Sequence, residues 1–295
     1  MSLSKLILRN PGFVVMGQRL GKEKLYDYVK KFGMTEKTGI DLNGEAKGIM
    51  FKYDNIGPVE QATISFGQGI SVTPIQQVTG VSAAINGGTL YQPYTVKYIT
   101  EPKTNNIILE NKPNQVRQVI SKETSSLVRE TLESVVSLGT GKNAYIENYR
   151  VGGKTGTAQK VKDGRYMAGN YIVSFIGFLP ADKPEYVVYV AIDNPKGITQ
   201  YGGTVSAPIA KNIMKNIISI KDLKPSKDVT PRTYTWLDIK YNKLPNVTGL
   251  SLKEAKQILK GYQINVNGTG DKVIYQEPDS DTYVKENSTV KLLLN

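Results

Sequence analysis

The chain has 295 residues, 39% of them hydrophobic, and 38 basic against 26 acidic side chains give it a formal charge of +12. It contains no histidine and no cysteine, which excludes Ser-His-Asp and Cys-His hydrolysis, removes the usual zinc ligands and rules out disulfides. Any nucleophile must therefore take a lysine or a carboxylate as its base. The charge suits an anionic neighbour such as a wall polymer, a membrane surface or nucleic acid. The lysines form no compact block interleaved with aromatics, so nucleic acid is not an expected partner. No apolar run approaches the roughly 18 residues of a membrane-spanning helix, and no secretory signal is visible. The opening "MSLSKLILRN" reads as an artificial or internal start. The length predicts two domains.

In chain order, Leu20, Leu25, Tyr28, Val29 and Phe32 predict an amphipathic helix over 20–32, ended by Gly33. Residues 34–60 are rich in Gly, Asp and Asn and read as irregular. Thr73-Pro74 opens a second helix that Gly87-Gly88 closes. Residues 91–119 read as short strands and loops, and a third helix starts at Ser121–Glu123 and runs to about Leu138. Three strands follow, at 150–159, 171–179 and 186–192. Pro180, Asp182 and Pro184 make the second link a short turn, so these strands are expected to be antiparallel. "YIVSFIGFL" is apolar at odd and even positions alike, which predicts a central strand covered by helices on both faces. One cover is "VSAPIAKNIMKNIISI", with Val205, Ile209, Ile213 and Ile217 as its packing stripe. Residues 221–243 read as a linker. After it, Ser251 and Glu254 form a capping box ahead of Leu252, Ala255, Ile258 and Leu259, and short strands are expected at 262–266, 273–276 and 289–294.

The stretch "GGKTGTAQK", Gly152 to Lys160, has three readings. A phosphate loop needs a glycine where Asn148 stands and a helix after Thr155, where the pattern is a strand. A glycine-rich turn is the plain alternative. The third is a catalytic strand, since Lys-Thr-Gly is one of three motifs used by penicillin-recognising enzymes.

The surroundings favour the third. "VGGKTGTAQK" with "YIVSFIGFLPADKPEYVVYVAIDNP", "SFGQGISVTPIQQVTGVSAAINGGTLYQPY" and "GTGKNA" resembles the class B penicillin-binding transpeptidases across about residues 10 to 220. "LPNVTGLSLKEAKQILK", "GDKVIYQEPDSD" and "STVKLLL" look like a PASTA module, and the combination is similar to class B proteins of the sporulation type. The resemblance implies an α+β fold, an antiparallel sheet flanked by helices as in the serine β-lactamases, with a small αβββ domain behind it. It implies a division into 1–220, a linker at 221–243 and a PASTA domain at 244–295. It also implies roles. Lys154 brings positive charge to the rim, Thr155 holds the carboxylate of a peptide lying antiparallel to the strand, Gly156 leaves that peptide room, and Thr157 offers its backbone N–H to the oxyanion. The implied partners are a peptidoglycan stem peptide or a β-lactam, and cell-wall polymers through the PASTA module. No cofactor or metal is implied.

The family's nucleophile lies in Ser-x-x-Lys. Ser2–Lys5 and Ser288–Lys291 match the letters but not the context. The second family motif fits "LRNPGF" with Asn10 as its asparagine, but Leu8 stands where serine belongs. The chain is therefore expected to be the C-terminal half of a D,D-transpeptidase that acts outside the cytoplasmic membrane. The nucleophile and the membrane anchor are then missing, and the chain alone is inactive. The competing reading is a non-catalytic wall-binding protein on the same scaffold. In the family the Lys-Thr-Gly strand is expected inside the sheet, facing the nucleophile's helix. Val151, Val173 and Phe175 should then be partly uncovered, and the chain should self-associate or fold residues 1–20 over the gap.

Overall fold

Two sequence periods build the larger unit: a 3.6-residue period for its helices and a two-faced apolar run for its central strand. The computed structural model describes residues 10–162, 164–232, 241–285 and 287–295. Ser2–Lys5 and Leu8 lie outside them. The chain divides into two units, 1–232 and 233–295.

In the first unit, helices α1 (Asn10–Leu20) and α2 (Lys22–Lys31) meet at Gly21. The expected helix over 20–32 is thus shorter, and Leu20 belongs to its predecessor. Strand β1 (Ile49–Met50) pairs with β2 (Ile70–Ser71) around helix α3 (Pro58–Ser65). The Glu60 carboxylate caps α3 by accepting from the Gly57 N–H at 2.9 Å. Helix α4 (Pro74–Ile85) starts in a capping box between Thr73 and Gln76. Strands β3 (Thr89–Gln92), β4 (Tyr98–Thr100), β5 (Ile107–Glu110) and β6 (Asn114–Gln118) form two small antiparallel pairs, β3 with β6 and β4 with β5. Helix α5 (Lys122–Ser137) is capped by Ser121.

The main sheet is β7 (Gly152–Lys162), β8 (Arg165–Leu179) and β9 (Tyr186–Asp193), antiparallel in that order. One face of β8 packs Phe175 and Leu179 against Ala207, Ala210 and Met214 of helix α6 (Gly202–Ile220). The other face packs Phe178 against Ile85 of α4, with Leu132 of α5 beside them. Each large side chain buried this way contributes about 1.5–3 kcal/mol. The expected two-sided cover is therefore present.

The structure corrects three expectations. Of the expected α6 stripe Val205, Ile209, Ile213 and Ile217, Ile217 packs against the core and Val205 is half-buried, but Ile209 and Ile213 are 42% and 40% exposed, while Ser206, Ala207, Ala210 and Met214 are buried. Small residues let the helix lie close on the sheet, and the buried Ser206 hydroxyl donates to the Val173 carbonyl at 3.0 Å. Next, the Lys-Thr-Gly strand is not inside the sheet, because β7 is an end strand among the described residues. Finally, Val151, Val173 and Phe175 are buried rather than uncovered, because Val151 and Phe175 belong to the core that α6 covers.

The second unit has its own core. Strands β10 (Tyr241–Lys243) and β13 (Tyr283–Lys285) pair at its start. Helix α7 (Leu252–Ile258) opens on the Ser251–Glu254 capping box. Strands β11 (Gln263–Asn267), β12 (Val273–Glu277) and β14 (Thr289–Leu294) form a sheet with β14 in the middle, parallel to β11 and antiparallel to β12. Leu244, Val247, Ala255, Leu259, Val273, Val290 and Leu292 fill the space between helix and sheet. The buried Gln276 amide accepts from the Val247 N–H at 2.7 Å and donates to the Pro245 carbonyl at 3.2 Å, which meets the requirement that buried polar groups find partners.

Candidate active site

The candidate strand is anchored before it begins. Arg150 grips the buried Glu133 of α5 with two nitrogens, Nε to Oε1 at 3.0 Å and Nη2 to Oε2 at 2.6 Å. This bidentate pair fixes the entry of β7 against α5, and Glu133 raises the Arg150 pKa. Gly152 and Gly153 follow because two rings crowd the backbone: a Cβ would lie 2.2 Å from the Phe178 ring and 2.5 Å from the Phe175 ring. The double glycine is thus a packing requirement ahead of the chemistry.

Lys154 comes next, opposite Ile176. Its Nζ donates to the Thr155 carbonyl at 2.8 Å, and burial lowers its pKa. It lines a cavity of about 250 Å³. Gln77, Val81 and Ala84 of α4 and Leu132 of α5 form one wall; Gly153 to Gly156, Ser174, Ile176 and Tyr189 form the other. Gly156 lies opposite Ser174, and a Cβ there would meet the Ser174 Oγ at 2.4 Å. Rotation of the Ser174 hydroxyl relieves that contact, so it does not by itself require glycine.

Thr155 and Thr157 are held by other elements. The Thr155 hydroxyl shares a hydrogen bond with the Thr140 hydroxyl at 3.1 Å. The turn bearing Thr140 closes α5, with the Gly139 and Gly141 N–H groups both donating to the Val135 carbonyl. Thr157 Oγ1 accepts from the Gly202 N–H at 3.3 Å, so the start of α6 abuts the strand. Gly202 has to be glycine, since a Cβ would sit 2.2 Å from the Ser174 carbonyl oxygen and 2.5 Å from that of Gly156. Asn143 Nδ2 donates to the Gly203 carbonyl at 2.8 Å and ties the same corner.

Lys154, Thr155, Gly156 and Thr157 therefore share one strand, the end strand among the described residues, and the first three of them line one cavity. Asn10 is elsewhere: it is the exposed first residue of α1, which packs on α2 and α3. Among the described residues it has no hydrogen bond to the other four. Sequence reasoning assigns no role to Thr140, Asn143 or Gly202, although "GTGKNA" stands out in it. The signal for them is a glycine-flanked threonine directly after a helix, which marks a turn able to present a hydroxyl.

The arrangement offers a cation, hydroxyls and a strand edge unpaired among the described residues, which suits a peptide carboxylate. It does not offer a serine activated by a lysine. Ser174 lines the cavity with Lys154, but among the described residues the two share no hydrogen bond. In the Ser288–Lys291 match, the Lys291 ammonium is bound to Glu277 at 3.1 Å, and residues three apart in strand-like backbone point to opposite faces. That match does not form a nucleophile site. No helix among the described residues is long and apolar enough to cross a membrane.

Residues 9–215 match the penicillin binding protein transpeptidase domain family, and residues 242–295 match the PASTA domain family. The chain is 55% identical to stage V sporulation protein D of Bacillus subtilis over 285 residues, which is 97% of this chain and 44% of that protein. It is 32% identical to penicillin-binding protein PbpB of Mycobacterium tuberculosis, over 75% of this chain and 34% of that one. The crystal structure of penicillin-binding protein 3 from Mycobacterium tuberculosis in complex with ampicillin superposes with a TM-score of 0.70 at 29% identity, covering 79% of this chain and 55% of that one. The chain spans less than half the length of these curated relatives.

Proposed function

The chain belongs to the penicillin-binding protein transpeptidase family and carries a PASTA domain behind the transpeptidase region, and from that premise we propose that it supplies the carboxylate-binding and oxyanion side of a D,D-transpeptidase. The substrate is a peptidoglycan stem peptide, cross-linked by serine acyl transfer, and β-lactams compete for the same strand. The nucleophilic serine and its lysine come from a segment other than the one described. The division goes with this reading: residues 1–220 as the transpeptidase region, 221–243 as the linker and 244–295 as the PASTA domain. Wall polymer is then the PASTA ligand, and the outer face of the cell membrane is the location.

The observation that carries the proposal is the placement of Lys154 to Thr157 on one strand, an end strand among the described residues, with Lys154, Thr155 and Gly156 lining the cavity. Lys154 supplies charge to the substrate carboxylate. Thr155, steadied by Thr140, donates to that carboxylate. The Thr157 N–H meets the developing oxyanion, where losing one such donor commonly costs about a hundredfold or more. Asn10 serves as the second-motif asparagine only if the strand and α1 come together around the substrate.

A second reading has one observation in its favour: Ser174, the serine that lines the cavity with Lys154, is not hydrogen-bonded to it among the described residues. A wall-binding protein on a transpeptidase scaffold would look the same. Fusing the chain to the preceding half of the sporulation protein D relative separates the two. A fused protein that acylates with a labelled penicillin, and loses this on Lys154→Ala, supports the transpeptidase. A folded fusion that never acylates supports the binding protein.

A further inference from the structure

β7 and β8 continue where the sheet stops. The pairing of β9 ends at Ile172 with Asp193, whereas β7 and β8 run on as a two-stranded arm to the facing pair Lys162 and Arg165. The register shifts between Gln159 and Val161, an irregularity that re-aims the strands beyond it. Lys160 at the base of the arm is answered by Asp193 at 2.7 Å. Lys162 and Arg165 are exposed, and among the described residues neither has a carboxylate partner. They stand directly opposite each other in register, where like charges repel. Among the described residues nothing offsets that repulsion.

We infer that this arm is the outer half of the peptide-binding edge, and that Lys162 and Arg165 bind the carboxylate side chains of an extended acidic peptide whose free C-terminus lies at Thr155. The inference rests on the transpeptidase reading. Because β7 is an end strand among the described residues, it presents an edge of backbone N–H and C=O groups that an antiparallel peptide can pair with. Lys162 lies seven residues beyond Thr155, about 23 Å at the rise of a strand. A peptide of about seven residues bound along that edge brings its first two residues to the arm. A carboxylate there neutralises the facing cations, and the Arg165 fork can take it with two hydrogen bonds. A neutral peptide leaves the repulsion in place.

The test uses the full 295-residue chain, isotope-labelled, followed by amide chemical shifts. The probe is an N-acetylated heptapeptide with glutamate at its first two positions and D-alanyl-D-alanine at its end, compared with the same peptide carrying glutamines. The acidic peptide is expected to move the signals of residues 154–157 and of Lys162 and Arg165. It should bind about tenfold tighter at low salt, since each exposed ion pair contributes at most about fivefold. The advantage should vanish at about 1 M salt and in the Lys162→Gln, Arg165→Gln variant, whose 154–157 signals still respond. Equal affinity for the two peptides, with shifts at 154–157, overturns the role of the arm and leaves the transpeptidase reading intact. A response of the arm to inorganic polyphosphate but not to the acidic peptide overturns it in favour of a general polyanion site. No response at 154–157 to either peptide contradicts both.

Discussion

Lys154 occupies a position that is unfavourable for a lysine and useful for a substrate. Burial lowers its pKa from the ordinary 10.5, so the charged form is disfavoured in the folded state. At neutral pH the folded protein carries that penalty. As pH rises towards 10.5, the folded state loses its proton before the unfolded one, and the penalty fades. Lys154→Met is therefore expected to raise the melting temperature at pH 7, with the gap to the wild type narrowing towards pH 10. A variant less stable than the wild type at pH 7 would show that the ammonium is well solvated instead. Thr140→Val tests the neighbouring contact. It removes the hydroxyl that Thr155 leans on, and in the fused enzyme it should slow acylation by about tenfold, one hydrogen bond's share, while the melting temperature moves little. The Lys-Thr-Gly-Thr residues are legible in the sequence because their pattern and spacing are local. Thr140 and Gly202 are not, because their importance lies in what the fold brings next to Thr155 and Gly156.

Among the elements, the α5–β7 junction is the most vulnerable to single changes. Glu133 is buried, and its carboxylate is met by the Arg150 guanidinium at 2.6 Å. Removing one partner strands a buried charge, which typically costs about 3–5 kcal/mol. Arg150→Met should lower stability by that order in urea unfolding, and the Arg150→Met, Glu133→Leu pair should recover most of it. An additive double variant would contradict the pairing account. Periodicity suffices for some elements and not for others. The two-faced apolar run of β8 announces a covered strand, and capping residues set the starts of α4, α5 and α7. The α6 stripe misleads because isoleucines at helical spacing outweigh Ser206, Ala207 and Ala210 in any hydrophobicity count, while close packing on a sheet selects the small residues. α1 escapes notice because Pro11 and Gly12 read as members of a motif. Both residues are compatible with a first helical turn, where no backbone donor is needed.

For the whole molecule, exposed apolar surface is present, but not where the expected gap in the sheet's cover would put it. Val151, Val173 and Phe175 are covered. The exposed apolar residues lie elsewhere, with Ile49 74% and Val59 70% exposed around the first small sheet, and Ile108 67% exposed on the β4–β5 pair. Where such residues adjoin in one patch they promote association. Light scattering at rising concentration should give a mass above the 32.5 kDa monomer, and Val59→Glu should reduce it. A concentration-independent monomer would contradict this.

The central proposal is that this chain holds the substrate-binding strand of a penicillin-binding transpeptidase and that none of its own serines is the nucleophile. Mass spectrometry after incubation with a β-lactam tests it most directly, on the chain alone and on the fusion with the preceding half of the sporulation protein D relative. The account predicts no adduct on the chain alone, one penicilloyl group per fusion, and at least about a hundredfold slower acylation after Thr155→Val, as expected when a donor to the bound substrate is lost. Stoichiometric labelling of the chain alone, at Ser174 or any other serine, would contradict it.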